Sequence, residues 1–336
     1  MNQESARATT SGAASGAVAA NTEFSWKRLI ANNTPVIALI LICVIMTATS
    51  PHFFRQRNIL NILDQVTVLG IMAIGMTLVI IIGGIDLSVG AVLALSGMLL
   101  GWMAKTQGYP WALAIVVALI VGGLCGLATG LLITKLNLPA FIATLAMMSI
   151  ARGLANIITN GRQIISYPEW FVNLSVKRHF GFFPVTVGLL VVLAVVAWLV
   201  VKYRPFGRSL YAIGGNPEVA YLAGINVKAV TTWVYVLCGL LCGLAGVVMA
   251  TRLDSSQPSA GNGYEMNCIA SVVIGGASLS GGIGSVGGTM MGVFIIGVLR
   301  NGLNLHGVSP FVQQIVIGCV IILAVTLDNL RRRENR

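Results

Sequence analysis

The chain has 336 residues, of which 56% are hydrophobic and 9% charged, and its mean hydropathy is +0.88. A soluble domain carries about 25% charged residues, so this composition excludes a water-soluble globular protein and indicates an all-α polytopic membrane protein. The formal net charge of +11 comes from basic residues flanking apolar runs, as the positive-inside rule requires, and implies no nucleic-acid partner.

Residues 1–33 are expected to form a disordered cytosolic tail. They are rich in Ala, Ser, Thr and Gly up to Thr22 and lack the apolar core of a signal peptide. Apolar runs long enough to cross a bilayer as helices follow at 34–50, 66–83, 88–104, 111–134, 139–159, 185–201, 229–250, 264–280, 288–303 and 310–327. About ten spans are therefore expected in one transmembrane domain, 34–328, and the Gly-interrupted runs are open to a second reading as single broken helices. Residues 329–336 are expected to form a basic cytosolic tail containing Arg331, Arg332 and Arg333.

Lys27, Arg28, Lys135, Lys202, Arg204, Arg208 and Lys228 fall on one side of this arrangement, against a weaker basic set on the other. This bias puts both termini in the cytosol. The six cysteines lie in or beside apolar helix without a C-x-x-C pair, and the three histidines are far apart, so neither a disulfide frame nor a metal site is expected. Tyr167 and Trp170, in the longest outer loop (161–184), suit the membrane interface.

The stretch SLSGGIGSVGG, 278–288, contains a letter-perfect G-x-G-x-x-G. A dinucleotide loop would need a preceding strand and an acid about 20 residues on. The residues before it are membrane span, and no Asp or Glu occurs between Glu265 and Asp328, so nucleotide binding is rejected. Many glycines instead recur at four-residue spacing, as at Gly122, Gly126 and Gly130, at Gly239 and Gly243, and at Gly288 and Gly292. Such spacing lets membrane helices approach closely.

Two glycine stretches stand apart. IGGIDLSVG at 82–90 and IGGASLSGG at 274–282 share I-G-G-x-x-L-S-x-G. Paired Gly-interrupted segments point to a transporter's solute path, and chance similarity in glycine-rich sequence is the competing account. In a ten-span topology the two lie six spans apart, which implies a parallel relation rather than an inverted one. Asp86 has two compatible readings. It caps the helix that starts near Ser88, or it is a costly intramembrane carboxylate with a role in transport.

The longest inner loop, 202–228, contains Asn216-Pro217-Glu218, which reads as a helix start, and Gly224, which reads as its stop. The helix between them, behind a turn at Gly214-Gly215, has an apolar face of Val219, Ala220, Leu222 and Ala223 suited to a partner's groove.

Here the sequence resembles a known family. Glu218-Val219-Ala220-x-x-x-Gly224 is close to the E-A-A-x-x-x-G loop of ABC importer permeases, with Val219 as the departure. FGRSLYAIGGNPEVAYLAGIN, GGIDLSVG, PAFIATLAMMSIARG, GYEMNCIASVVIGGASLSGGIGSVGGT and NGLNLHGVSPFVQQIV resemble the permeases of ribose-type carbohydrate importers. The resemblance implies a vitamin B12-importer-like (type II) fold, a second copy of the chain, and a bacterial inner-membrane location. It implies cytosolic ATPase partners carrying the ATP and Mg, with no cofactor on this chain, and a periplasmic or lipid-anchored binding protein that delivers a monosaccharide. It makes Gly214, Gly215, Asn216, Glu218, Ala220 and Gly224 the coupling helix that enters a groove on the ATPase. Gly83, Gly84, Asp86, Ser88, Phe141, Gly275, Gly276, Ser278, Ser280 and Gly284 are expected near the translocation path. A nucleoside or furanosyl cargo is the alternative within this class. An ion-coupled secondary transporter using Asp86 is the alternative outside it. Asn267, Asn301, Asn304 and Gln313 are further wall candidates, equally open to packing roles.

Overall fold

The computed structural model describes residues 34–178 and 183–334. The predicted tail 1–33 and His179 lie outside them, as do the side chains of Arg331–Arg333. The described chain is helical almost throughout. The helices are α1 (Thr34–Thr49), α2 (Gln56–Ile81), α3 (Val89–Gly101, prolonged by a π turn at Trp102–Thr106), α4 (Trp111–Lys135), α5 (Ala140–Ile157) and α6 (Glu169–Val176). They continue with α7 (Val185–Tyr203), α8 (Pro205–Gly215), α9 (Pro217–Leu222), α10 (Val227–Leu253), α11 (Tyr264–Ile274), α12 (Val286–Leu305) and α13 (Pro310–Glu334). Seven of these helical stretches are long and apolar enough to cross a membrane, and α1, α11 and α13 contribute shorter apolar stretches.

The spacing of small residues explains the core. α4 and α10 share the most extensive helix contact in the fold. A Cβ on Gly122 would strike the Gly239 carbonyl oxygen, and one on Gly126 the Tyr235 carbonyl oxygen. Backbone lies against backbone, as small-xxx-small spacing permits. Gly288 and Gly292 play the same part where α12 meets Ser271 of α11 and Gly275, the residue that ends it. Between helices, hydroxyls and amides pair with one another. Thr77 and Thr289 lie 2.7 Å apart, and Asn58 and Asn301 exchange bonds of 2.9 and 2.8 Å.

That amide pair explains why α2 begins ten residues before the predicted span. Its polar first turns are unreadable as membrane until Asn301 on α12 satisfies Asn58. Two other expectations are corrected. Tyr167 is buried rather than interfacial, with its hydroxyl donating to Ser256 Oγ at 2.7 Å, and burial pushes its phenol up to about 12. The outer loop also contains a helix, α6, held by the aromatic cluster of Trp111, Tyr167, Trp170 and Phe171.

α3 and α11 start part-way along the bundle. After Ile81 the chain doubles back, and the Gly84 N–H donates to the Val79 carbonyl at 2.9 Å. Residues 254–263 dip alongside α3, from Tyr167 and Ser256 down to Gly261, which packs on Gly90. Arg152 on α5 anchors this dip by donating to the carbonyls of Pro258 and Ala260.

The α4–α10 contact is directly testable. Gly126→Val should lower the thermal midpoint of the detergent-solubilised protein, since overpacking costs about 1–3 kcal/mol. Gly153→Ala, where an added Cβ meets nothing within 4 Å, should leave it unchanged or higher. Equal midpoints for the two variants would refute backbone-on-backbone packing here.

Candidate functional site

The two glycine stretches meet. The Gly282 N–H donates to the Ile81 carbonyl at 2.9 Å, so the second break caps the end of the helix before the first. A Cβ on Gly281 would stand 3.0 Å from Gly83 N and 2.8 Å from Gly214 O. The breaks thus lie at the same end of the bundle, as a parallel relation between α2–α3 and α11–α12 requires.

The third member of the contact is the end of α8. Gly214 is not part of a turn, as the sequence suggested. Gly214 and Gly215 close the last turn of α8, and the chain breaks one residue later, at Asn216. The reason is tertiary: Gly214 is wedged against the Ile81 carbonyl and the Gly282 N–H, where any side chain would collide with backbone. One turn earlier on the same helix, the Tyr211 hydroxyl donates to the Gly284 carbonyl at 2.7 Å. Burial pushes the Tyr211 phenol up from its ordinary value, which keeps it a donor. The sequence reading missed Tyr211; its place three residues before Gly214 is the helical-face signal that marks it.

Beyond this junction the predicted helix forms as expected. Asn216 Oδ1 accepts from the N–H groups of Glu218 (2.9 Å) and Val219 (3.1 Å), Pro217 occupies the first helical position, and Gly224 ends the segment at φ +84°. Val219, Tyr221 and Leu222 are 60%, 71% and 83% exposed, a surface with no described cover. Ala220 is a correction: it is buried, not part of that face. In a helix of this length it lies opposite the exposed residues and packs the segment onto the bundle.

The other candidate residues divide by burial. Gly84, Asp86, Ser88 and Ser278 are buried, whereas Gly83, Phe141, Gly276 and Ser280 are exposed and Gly275 and Gly284 half-buried. Asp86 is not an N-cap. Ser88 occupies that position, and Asp86 Oδ1 instead accepts from Ser88 N (2.8 Å) and Ser88 Oγ (2.6 Å). This closes the turn that feeds α3. Among the wall candidates, Asn267 and Asn301 are buried, and Gln313 donates to Asn304 Oδ1 at 2.7 Å.

The backbone junction of Ile81, Gly214 and Gly281–Gly282 is thus continuous, through Asn216, with a short helix that exposes Val219, Tyr221 and Leu222. Residues 58–325 match the family described as "Branched-chain amino acid transport system / permease component". The chain belongs to this family of transport permeases. It is 46% identical to the ribose import permease of Bacillus subtilis (strain 168), over 88% of this chain and 91% of that one. It is 43% identical to the ribose import permease of Escherichia coli (strain K12), over 88% and 93%. It is 37% identical to the fructose import permease of Rhizobium meliloti, over 89% and 85%. No solved structure matches the chain at significance.

Asp86 can be probed without transport. Asp86→Asn keeps the Oδ1 acceptor and should hold the thermal midpoint. Asp86→Leu leaves two buried Ser88 donors unpaired, a loss of about 1–3 kcal/mol, and should lower it clearly. Identical midpoints would show that the turn does not depend on this acceptor.

Proposed function

We propose that the chain is the membrane permease subunit of an ATP-driven importer of a monosaccharide such as ribose, with a nucleoside or furanosyl compound as the alternative cargo. The sugar assignment rests on relatives named for ribose and fructose import that align over nearly the whole chain. The mechanism rests on one observation: the end of α8 lies against both glycine breaks at once.

In this reading α9 is the coupling helix, and its exposed Val219, Tyr221 and Leu222 enter a groove on a cytosolic ATPase that carries the ATP and Mg. Closure of the ATPase pair pushes α9. The push passes through Asn216 and Gly215 to Gly214, and from there to Ile81 and Gly281–Gly282 without an intervening side chain. Tyr211 adds a pull on Gly284. The breaks after α2 and after α11 shift together, and the gate alternates between its two states. The chain binds no cofactor itself and works as a homodimer of type II fold in the bacterial inner membrane, with both termini cytosolic. An external binding protein supplies the sugar and most of the selectivity. The path runs along the dimer axis past the exposed members of the two breaks, Gly83, Gly276 and Ser280, and past Phe141. The buried Gly84, Asp86, Ser88 and Ser278 hold the breaks in shape behind that wall.

The test is reconstitution with the ATPase and the sugar-loaded binding protein. Glu218→Lys with Gly224→Leu should abolish binding-protein-stimulated ATP hydrolysis while insertion and dimerisation persist. Tyr211→Phe should lower stimulated turnover by several-fold and leave ATPase association intact, since it removes one hydrogen bond, worth about 1 kcal/mol. Uptake that survives the double change and follows a proton or sodium gradient would overturn the importer reading.

A further inference from the structure

Between α4 and α10, at the end of the bundle that the charge bias assigns to the cytosol, lies a cavity of about 480 Å³. Its wall changes character with depth. At the helix ends stand Lys135, in the last turn of α4, Lys228, in the first turn of α10, and Asn226, the α10 cap. Further in, the wall is made by Leu127, Trp233 and Val236. Leu127 and Val236 each lie eight residues from the lysine of their own helix, about 12 Å along the axis. Trp233 is 60% exposed and belongs to the outer wall of the groove.

The cations are available. Among the described residues neither Lys135 nor Lys228 has an acidic partner. Asn226 uses Oδ1 to accept from Ala229 N at 3.1 Å, and its amide nitrogen makes no described bond. The two threonine hydroxyls in the lining are already engaged: Thr134 donates to the Gly130 carbonyl (2.8 Å) and Thr232 to the Lys228 carbonyl (2.9 Å), with the two hydroxyls 3.0 Å apart.

We propose that this groove is a binding site for an anionic phospholipid, with the phosphate held by Lys135 and Lys228 and an acyl chain lying along Leu127, Trp233 and Val236. Charge at the rim and apolar wall below match the polarity of a lipid in depth and in sign. A soluble phosphate would use only the rim and gain nothing from the apolar wall. The site joins the two helices whose glycine faces form the core, so its occupant bridges the ends of α4 and α10. The inference rests on the membrane-spanning fold and does not depend on the transported solute.

The probe is phosphatidylglycerol added to the full-length, detergent-purified protein, read by native mass spectrometry beside phosphatidylcholine. Phosphatidylglycerol should be retained preferentially. Lys135→Gln with Lys228→Gln should weaken its retention by about thirtyfold, from about 1 kcal/mol for each of the two cations at about one tenfold step per 1.4 kcal/mol. Lys135→Arg with Lys228→Arg should keep it, which separates charge from misfolding. Equal retention of the two lipids, or unchanged retention by the glutamine variant, would overturn the site. So would complete displacement by millimolar inorganic phosphate, which would make it a soluble-anion site. Loss of phosphatidylglycerol on dimerisation would give the groove to a second copy of the chain instead.

Discussion

A helix end packed against protein leaves backbone donors and acceptors that need partners, and each such group left buried and unpaired costs about 1–3 kcal/mol. Helices end this way twice, after α2 and after α11, and the two interruptions solve the problem for each other. The carbonyl left open at Ile81 is taken by the N–H of Gly282. Inside the second break, the Ser278 N–H goes to the Ile283 carbonyl and the Gly281 N–H to the Ser278 carbonyl. The first is closed by Asp86 and Ser88. Neither break has all its partners without the rest of the fold.

That mutual dependence explains the glycines. The approach of three backbones at one point leaves no room for a Cβ at Gly214, and Gly281 also requires a left-handed backbone, with φ +83°. A packed interior is stiff and transmits displacement. A backbone-only contact transmits it more directly than one cushioned by rotatable side chains. The same feature that satisfies hydrogen bonds therefore joins the surface helix α9 to the interior through the end of α8.

Much of this was legible in the residues. Apolar runs located the long helices, four-residue glycine spacing marked the close-packing faces of α4, α10 and α12, and Asn216-Pro217-Glu218 with Gly224 located α9, because each depends on local chemistry. Other elements were not. The start of α2 looked too polar for a span until Asn58 found Asn301, 243 residues away. α6 depends on an aromatic cluster assembled from its own Trp170 and Phe171, Tyr167 of the loop before it and Trp111 at the start of α4. α8 read as loop and turn, because a Gly-Gly pair is a breaker in isolation and becomes helical only where close packing requires it.

The sequence by itself determined the membrane-spanning class, the family, the position of the breaks and the short helix α9, since these follow from hydropathy, caps and motifs read within a few residues. Only the tertiary structure decided that the breaks face one another, that Tyr211 and Gly214 bind them to α8, that Ala220 turns inward, and that Asp86 closes a turn rather than capping a helix. The physical reason is range. Propensity and hydropathy act along the chain, whereas a backbone hydrogen bond between residues 81 and 282 exists only once the intervening helices have packed.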